Sequence, residues 1–237
     1  MNRVLLSPGA AESGTTVPLD EAESHHLRVR RAREGELVSL RDGAGLMGTG
    51  RLVLLEKGWG VEINAFERHP RPADLTLAIG GGDRERFAWA VEKAAELGVT
   101  AIVPLETVHT AGVGSRLQAR HVSKLRRQAL EALKQCGAAW APTIEDPVQL
   151  RLFLQRAPAG TRWLADAAGR APPGTLDGAP LTFVIGPEGG LAPEERALLT
   201  AAGYLPVSLG LHTLRFETAA IAAAAAVSTA RLRGNHG

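Results

Sequence analysis

The chain has 237 residues, enough for a small module joined to a larger domain, and its 45% hydrophobic and 22% charged residues exclude a disordered chain. A net charge of +2 excludes a protein that coats nucleic acid by bulk charge, so any RNA contact must come from local basic clusters. No apolar run approaches the roughly 20 residues that cross a bilayer, and residues 1–10 lack the apolar stretch of a signal peptide, so no membrane partner and a cytoplasmic location are expected.

Up to about residue 70, short alternating apolar stretches are separated by glycine turns. Residues 36–41, 50–55 and 61–67 read as half-buried strands, with Asp42-Gly43-Ala44-Gly45 and Lys57-Gly58 between them. Residues 20–33 form one helical insert, and the whole predicts a β-rich module of about five strands. His69-Pro70-Arg71-Pro72 reads as a linker, because closely spaced prolines continue neither strand nor helix. The expected division is therefore 1–72 and 73–237.

Beyond the linker, strands and helices alternate. Strands are expected at 75–79, 101–105, 162–165, 181–185 and 206–209. Helices are expected at 83–97, 116–135, 147–156, 193–202 and 217–233, with 167–180 as a Gly- and Pro-rich loop. This order predicts an α/β fold with a mostly parallel sheet covered on both faces. Cys136, the only cysteine, rules out an intramolecular disulfide, fits a reducing compartment and is expected as a buried thiol.

Ligands of open parallel sheets bind beyond the carboxyl ends of strands. Three segments qualify: 104–107, 186–190 and 210–217. Each alone also fits a plain strand-to-helix turn. Gly186-Pro187-Glu188-Gly189-Gly190 is the most pointed, since its acid would repel a pyrophosphate yet tolerate a cationic sulfonium or a ribose hydroxyl. Gly80-Gly81-Gly82 lacks the dinucleotide fingerprint, because Glu85 stands at the third glycine position, and it reads as a turn. The seven histidines show no zinc-ligand spacing, and no metal is expected. Two basic clusters, Arg28/Arg30/Arg31/Arg33 and Arg116/Arg120/Lys124/Arg126/Arg127, are candidate RNA contacts, although either alone also fits a solvated face.

The segments Phe183–Gly190 and Leu209–Ala219, with Lys93-Ala94-Ala95-Glu96-Leu97-Gly98-Val99, Ile102-Val103-Pro104-Leu105 and His26-Leu27-Arg28-Val29-Arg30-Arg31-Ala32, resemble the ribosomal RNA small-subunit methyltransferase E family of the SPOUT superfamily. The resemblance covers nearly the whole chain. It implies a PUA-like β-barrel joined to a SPOUT-type α/β domain whose parallel sheet carries a trefoil knot, roughly within 181–237, working as a homodimer. It further implies S-adenosylmethionine as cofactor and 16S rRNA or the small ribosomal subunit as partner, with methylation at N3 of a uridine. The residues it points to for the cofactor are Leu105, Thr107, Ile185, Gly186, Pro187, Glu188, Gly189, Leu209, Gly210, Leu214 and Thr218. Arg215 is the candidate catalytic residue, stabilising negative charge on the uracil, and Arg28, Arg30 and Arg31 are the RNA candidates. His212 is one candidate base, and Glu217 is assigned to opening the last helix. The chain departs from the family pattern at Val108, His109, Lys134, Ala138 and His212, which bears on RNA contact rather than on the cofactor. Two other functions stay open: a SPOUT methyltransferase for another RNA position, and a non-catalytic RNA-binding ribosome-assembly protein.

Overall fold

The structure is a computed structural model that describes residues 2–10, 15–110, 117, 119–156 and 159–234. It divides into two units. The first comprises Met1–Arg71 together with Leu133–Ala141, and the second Pro72–Ala132 with Pro142–Gly237.

In the first unit, β1 (Asn2–Leu5), β2 (Thr16–Pro18), β3 (Leu37–Arg41), β4 (Leu46–Leu55) and β5 (Gly58–Arg68) form one sheet in the order β1-β3-β4-β5-β2. Only β1 and β3 pair in parallel. The count agrees with the expected figure of about five, and β3, β4 and β5 overlap the three expected strands, whereas β1 and β2 are too short to show an alternating pattern. Val4, Val38, Leu40, Leu46, Leu52, Val61 and Ile63 point inward with Leu27 of helix α1 (Glu21–Val29). The long β4–β5 pair bends at a register shift between Thr49 and Gly50. A Cβ on Gly50 would lie 2.5 Å from the Glu62 carbonyl oxygen, so no larger residue fits this bulge. Helix α1 is shorter than the expected 20–33. Asp20 caps its start, accepting from Glu23 N at 2.7 Å, and Arg31 takes a left-handed φ of 55° that stops it. Ala32 N then donates to Leu27 O and Arg31 N to Arg28 O, closing the end.

Residues 133–141 join this unit through specific bonds. Lys134 Nζ lies 2.6 Å from Glu23 Oε1, with side chains only 4% and 6% exposed. Arg41 donates to the carbonyls of Gly137 and Ala138, and the Trp140 indole to His69 O. Cys136 is exposed, which corrects the buried thiol expected: it falls in the last turn of a helix, beside the exposed Gln135.

The second unit holds β6 (Leu75–Gly80), α2 (Arg84–Glu96), β7 (Ala101–Glu106), α3 (Ala119–Cys136, up to Ala132), β8 (Thr143–Ile144), β9 (Val148–Gln149), α4 (Leu150–Gln155), β10 (Thr161–Arg170), β11 (Leu181–Ile185), α5 (Pro193–Ala201), β12 (Leu205–Val207) and α6 (Phe216–Gly234). Its sheet runs β12-β10-β11-β6-β7-β8, with β9 also on β7, and every pairing is parallel. Both faces are covered. Leu75, Leu77 and Ile79 meet Phe87, Val91, Leu125 and Phe216 on one side, while Ala78, Val103 and Val184 meet Leu150, Phe153 and Leu199 on the other. The alternation follows from the two-residue period of a strand.

Three expected boundaries differ. Val148 and Gln149 open the expected 147–156 helix as a short strand, because they complete the edge beside Leu105 and Glu106. The expected loop 167–180 starts as strand, with Arg170 pairing Val207 across a register shift in β10. The last strand is Leu205–Val207, an edge position that tolerates Pro206. At the far end of α6, Arg231 donates to the carbonyls of Ala73, Asp74 and Ala179, each at 2.8 Å.

Tyr204, the only tyrosine, is 2% exposed, and its hydroxyl is buried without a partner among the described residues. Burial pushes its pKa up to about 12 from 10.0. A folded-state pKa above the unfolded value means that this group's contribution to stability is complete below pH 10 and is lost as pH rises toward 12. In a spectroscopic titration the phenolate band should therefore be absent at pH 10, still minor at pH 11, and should grow together with loss of the native circular dichroism. A phenolate band at pH 10 in the folded protein would contradict this.

Candidate functional site

A cavity of about 670 Å³ opens at the carboxyl ends of β11 and β12, beside the middle of β10. Ile185–Leu191 forms one wall, Ser208–Gly210 and His212–Phe216 a second, and Ala165–Ala167 a third. Two of the loops expected from the sequence thus converge on one cavity, as parallel strands of one sheet require.

The second loop is held in place by glycines and by helix starts. Gly190 N donates to Pro187 O, closing the Pro187-Glu188-Gly189-Gly190 turn, and Gly190 has a φ of 72°. The Gly80-Gly81-Gly82 turn acquires a role here. A Cβ on Gly80 would lie 2.6 Å from both Cδ and N of Pro187, so the end of β6 must be glycine for the neighbouring loop to rest on it. Glu195 accepts from Ala192 N and from Val108 N, tying the start of α5 to the segment after β7. His109 Nδ1 lies 2.9 Å from Gly190 O, and a Cβ on Gly189 would meet the His109 side chain at 3.1 Å.

Of the sequence-derived cofactor candidates, Ile185, Gly186, Pro187, Glu188, Gly189, Leu209, Gly210 and Leu214 line the cavity, together with Arg215 and His212. Leu105, Thr107 and Thr218 do not. Leu105 is buried in the core beneath α4 and α5. Thr107 is taken up in a closed turn, its N donating to Thr110 Oγ1. Thr218 is exposed, because α6 turns Phe216 and Ala219 toward the cavity instead. The third wall is formed by Ala165, Asp166 and Ala167, none of them among the sequence-derived candidates. The signal was available: Asp166 directly follows the expected 162–165 strand, where the carboxyl-end rule applies.

The lining carries both signs of charge. Arg86 donates to Glu188 at 2.8 Å, and Arg196 to Asp166. Arg215 also lines the cavity and is exposed, yet makes no ion pair among the described residues. Apolar contact is offered by Ile185, Leu209, Leu214 and Phe216. Such a cavity suits a molecule with a flat apolar part, hydroxyl groups and a cationic centre. Among the described residues no group of three His, Cys, Asp or Glu is placed to hold a metal ion, and no helix is long and apolar enough to cross a membrane.

In the first unit, Arg28, Arg30 and Arg31 are exposed at the end of α1, with Arg30 donating to Asn2 Oδ1. In the second, Arg120, Lys124, Arg126 and Arg127 are exposed on α3. Arg126 is partly used within the unit, donating to Ile144 O and pairing with Asp146. Arg116 lies outside the described residues.

Comparison with known proteins places these features in context. A family model for an RNA methyltransferase domain matches residues 69–228, and one for an RNA methyltransferase PUA domain matches 19–58. The ribosomal RNA small subunit methyltransferase E of Synechocystis sp. is 31% identical over 224 residues, 90% of this chain and 73% of that protein. The protein of the same name from Bacillus subtilis is 25% identical over 254 residues, 97% of each. Among solved structures, the Neisseria gonorrhoeae ribosomal RNA small subunit methyltransferase E bound to S-adenosyl methionine superposes with a TM-score of 0.81 at 30% identity, covering 95% of this chain and 96% of that one. A putative methyltransferase from Legionella pneumophila, also in complex with this cofactor, gives 0.80 at 29% identity, covering 94% of each.

Proposed function

The chain belongs to the ribosomal RNA small subunit methyltransferase E family, and we propose that it methylates N3 of a specific uridine in 16S rRNA. It is an S-adenosylmethionine-dependent rRNA methyltransferase. One observation carries the finer reading: of the three guanidinium groups lining the cavity, Arg215 alone has no carboxylate partner among the described residues.

The residues present fit the cofactor. Ile185, Leu209, Leu214 and Phe216 offer apolar surface to an adenine, Gly186 and Gly189 allow close backbone approach, and Glu188 and Asp166 offer acceptors to hydroxyl or cationic groups. Bound there, S-adenosylmethionine supplies a methyl group activated by its sulfonium. Uridine N3 becomes nucleophilic only when its proton leaves, and the resulting negative charge spreads onto the flanking carbonyl oxygens. Arg215 is the uncommitted donor available to that charge. The loops fix the approach of N3, so that much of the acceleration is orientation. The proton passes to His212 or to solvent at the cavity mouth.

Arg28, Arg30 and Arg31 act in this proposal as phosphate-binding groups in the cytoplasm, where the small ribosomal subunit is assembled. Replacing all three by Ala should flatten the salt dependence of RNA binding, by about 0.7 to 0.9 log units for each phosphate no longer neutralised, with cofactor affinity unchanged. An unaltered slope would make them a solvated face.

The trefoil knot and the homodimer implied by the family resemblance belong to the same proposal. The grip of Arg231 on three separate carbonyls and the bond from Leu176 N to Ala230 O support a chain end enclosed by its own loops. Ala223 and Ala224 are fully buried within the subunit, so an Arg at either position would unfold the domain rather than split a dimer. The seam instead falls on Ile221, Ala222, Ala225 and Ala226, which are half-buried. Calorimetric titration with S-adenosylmethionine, together with mass mapping of 16S rRNA from a deletion strain, tests the function. No binding, or an unchanged modification pattern, would overturn it.

A further inference from the structure

The first turn of α2 places one guanidinium between two carboxylates. Arg86 donates to Glu188 Oε1 at 2.8 Å, and its Nε stands 4.0 Å from Glu217 Oε1. The two acids differ in setting. Glu188 is 46% exposed and lines the cavity, whereas the Glu217 side chain is 9% exposed and its Oε2 is buried without a partner among the described residues. The Glu188 carboxyl lies over the glycine turn, where a Cβ on Gly82 would meet it at 3.6 Å and the Phe216 ring at 3.5 Å. Arg86 therefore does two things to Glu188: it fixes where the carboxylate points, and it sets a positive charge directly against it at the cavity wall. With Arg86 in place the three groups carry a single negative charge between them, and the nearer, shorter contact neutralises the acid on the cavity side.

A sulfonium methyl donor and its demethylated thioether product share every group except the methyl and one positive charge. A site can tell them apart strongly only through electrostatic potential at the sulfur, because the shapes are nearly the same. Resting on the methyltransferase reading above, we propose that Arg86 sets the discrimination between donor and product by holding Glu188 in an ion pair. The neutralised carboxylate attracts the sulfonium less, so donor and product bind on nearer terms than a bare Glu188 would allow. Arg86 is in this sense a specificity-setting and positioning residue, and it acts on the cofactor through Glu188.

Calorimetric titration of S-adenosylmethionine and S-adenosylhomocysteine against four proteins tests this: wild type, Arg86→Gln, Arg86→Lys and Glu188→Gln, each checked by circular dichroism. In Arg86→Gln the affinity ratio of donor to product should rise about three- to tenfold at low salt, the range for a unit charge several ångströms away in a partly solvated site. The rise should shrink as salt is added. Arg86→Lys keeps the charge and should keep the wild-type ratio. Glu188→Gln removes the carboxylate and should lower the ratio, which keeps the test decisive if Arg86→Gln does not fold. Equal changes in both affinities, leaving the ratio fixed in Arg86→Gln and Glu188→Gln, would overturn the proposal and leave Arg86 a prop for the turn. A wild type that binds neither ligand would overturn the methyltransferase reading itself.

Discussion

Arg215→Ala should lower the single-turnover rate of methyl transfer to 16S rRNA about 100- to 1000-fold, the usual cost of removing one donor to a developing anion. Cofactor affinity should stay within about twofold. The expectation rests on how the cavity's cations are engaged. Arg86 and Arg196 each bond a carboxylate, so neither can turn to a substrate anion without breaking an ion pair. Arg215 has no such commitment among the described residues. Its backbone carbonyl accepts from Ala219 N at the start of α6, and that bond survives truncation of the side chain, so the fold should survive too. Arg215→Lys should recover only part of the rate, since an ammonium cannot present the paired, planar donors of a guanidinium. Rates measured with labelled cofactor on small subunits lacking the modification would decide the matter. An Arg215→Ala rate within threefold of wild type would remove Arg215 from the reacting centre.

The cavity's two principal loops were legible because each follows a short apolar run and opens into a helix. Phe183-Val184-Ile185 and the Pro206-Val207 pair mark strand ends by local pattern alone. The place of the third wall was legible from the end of the expected 162–165 strand, but its continuation as strand was not, for the opposite reason. Ala165-Asp166-Ala167-Ala168-Gly169-Arg170 has no apolar alternation, and it is strand only because Arg170 pairs with Val207 across a register shift. A Cβ on Gly169 would lie 2.5 Å from the backbone of Pro206 and Val207, a closeness that only the folded sheet creates. The Ala run of α6 likewise offered no apolar face to read, and the structure turns Ala223 and Ala224 inward. Arg86 was invisible as a site residue because its partner lies 102 positions away, and charge pairing at that range leaves no periodic trace.

The first unit shows the same limit at residues 133–141, and a substitution there should have the largest effect on stability. Lys134→Met should destabilise this unit by about 3–5 kcal/mol, the cost of stranding one member of a buried ion pair. Glu23 is 5% exposed, and its remaining contact is a 3.3 Å bond from Leu5 N to Oε2, too little to replace an ammonium at 2.6 Å. The double change Glu23→Met with Lys134→Met should recover most of the loss, because a matched apolar pair of similar volume removes both desolvation costs. Urea unfolding followed by hydrogen exchange at Val4, Leu27 and Leu40 reads the effect where it arises, in the core these residues share. A cost below about 1 kcal/mol would mean that water reaches the pair. The functional readout separates the units: the cavity is lined wholly by residues of the second, so cofactor affinity of the single variant should hold at temperatures where RNA binding through Arg28, Arg30 and Arg31 has already fallen.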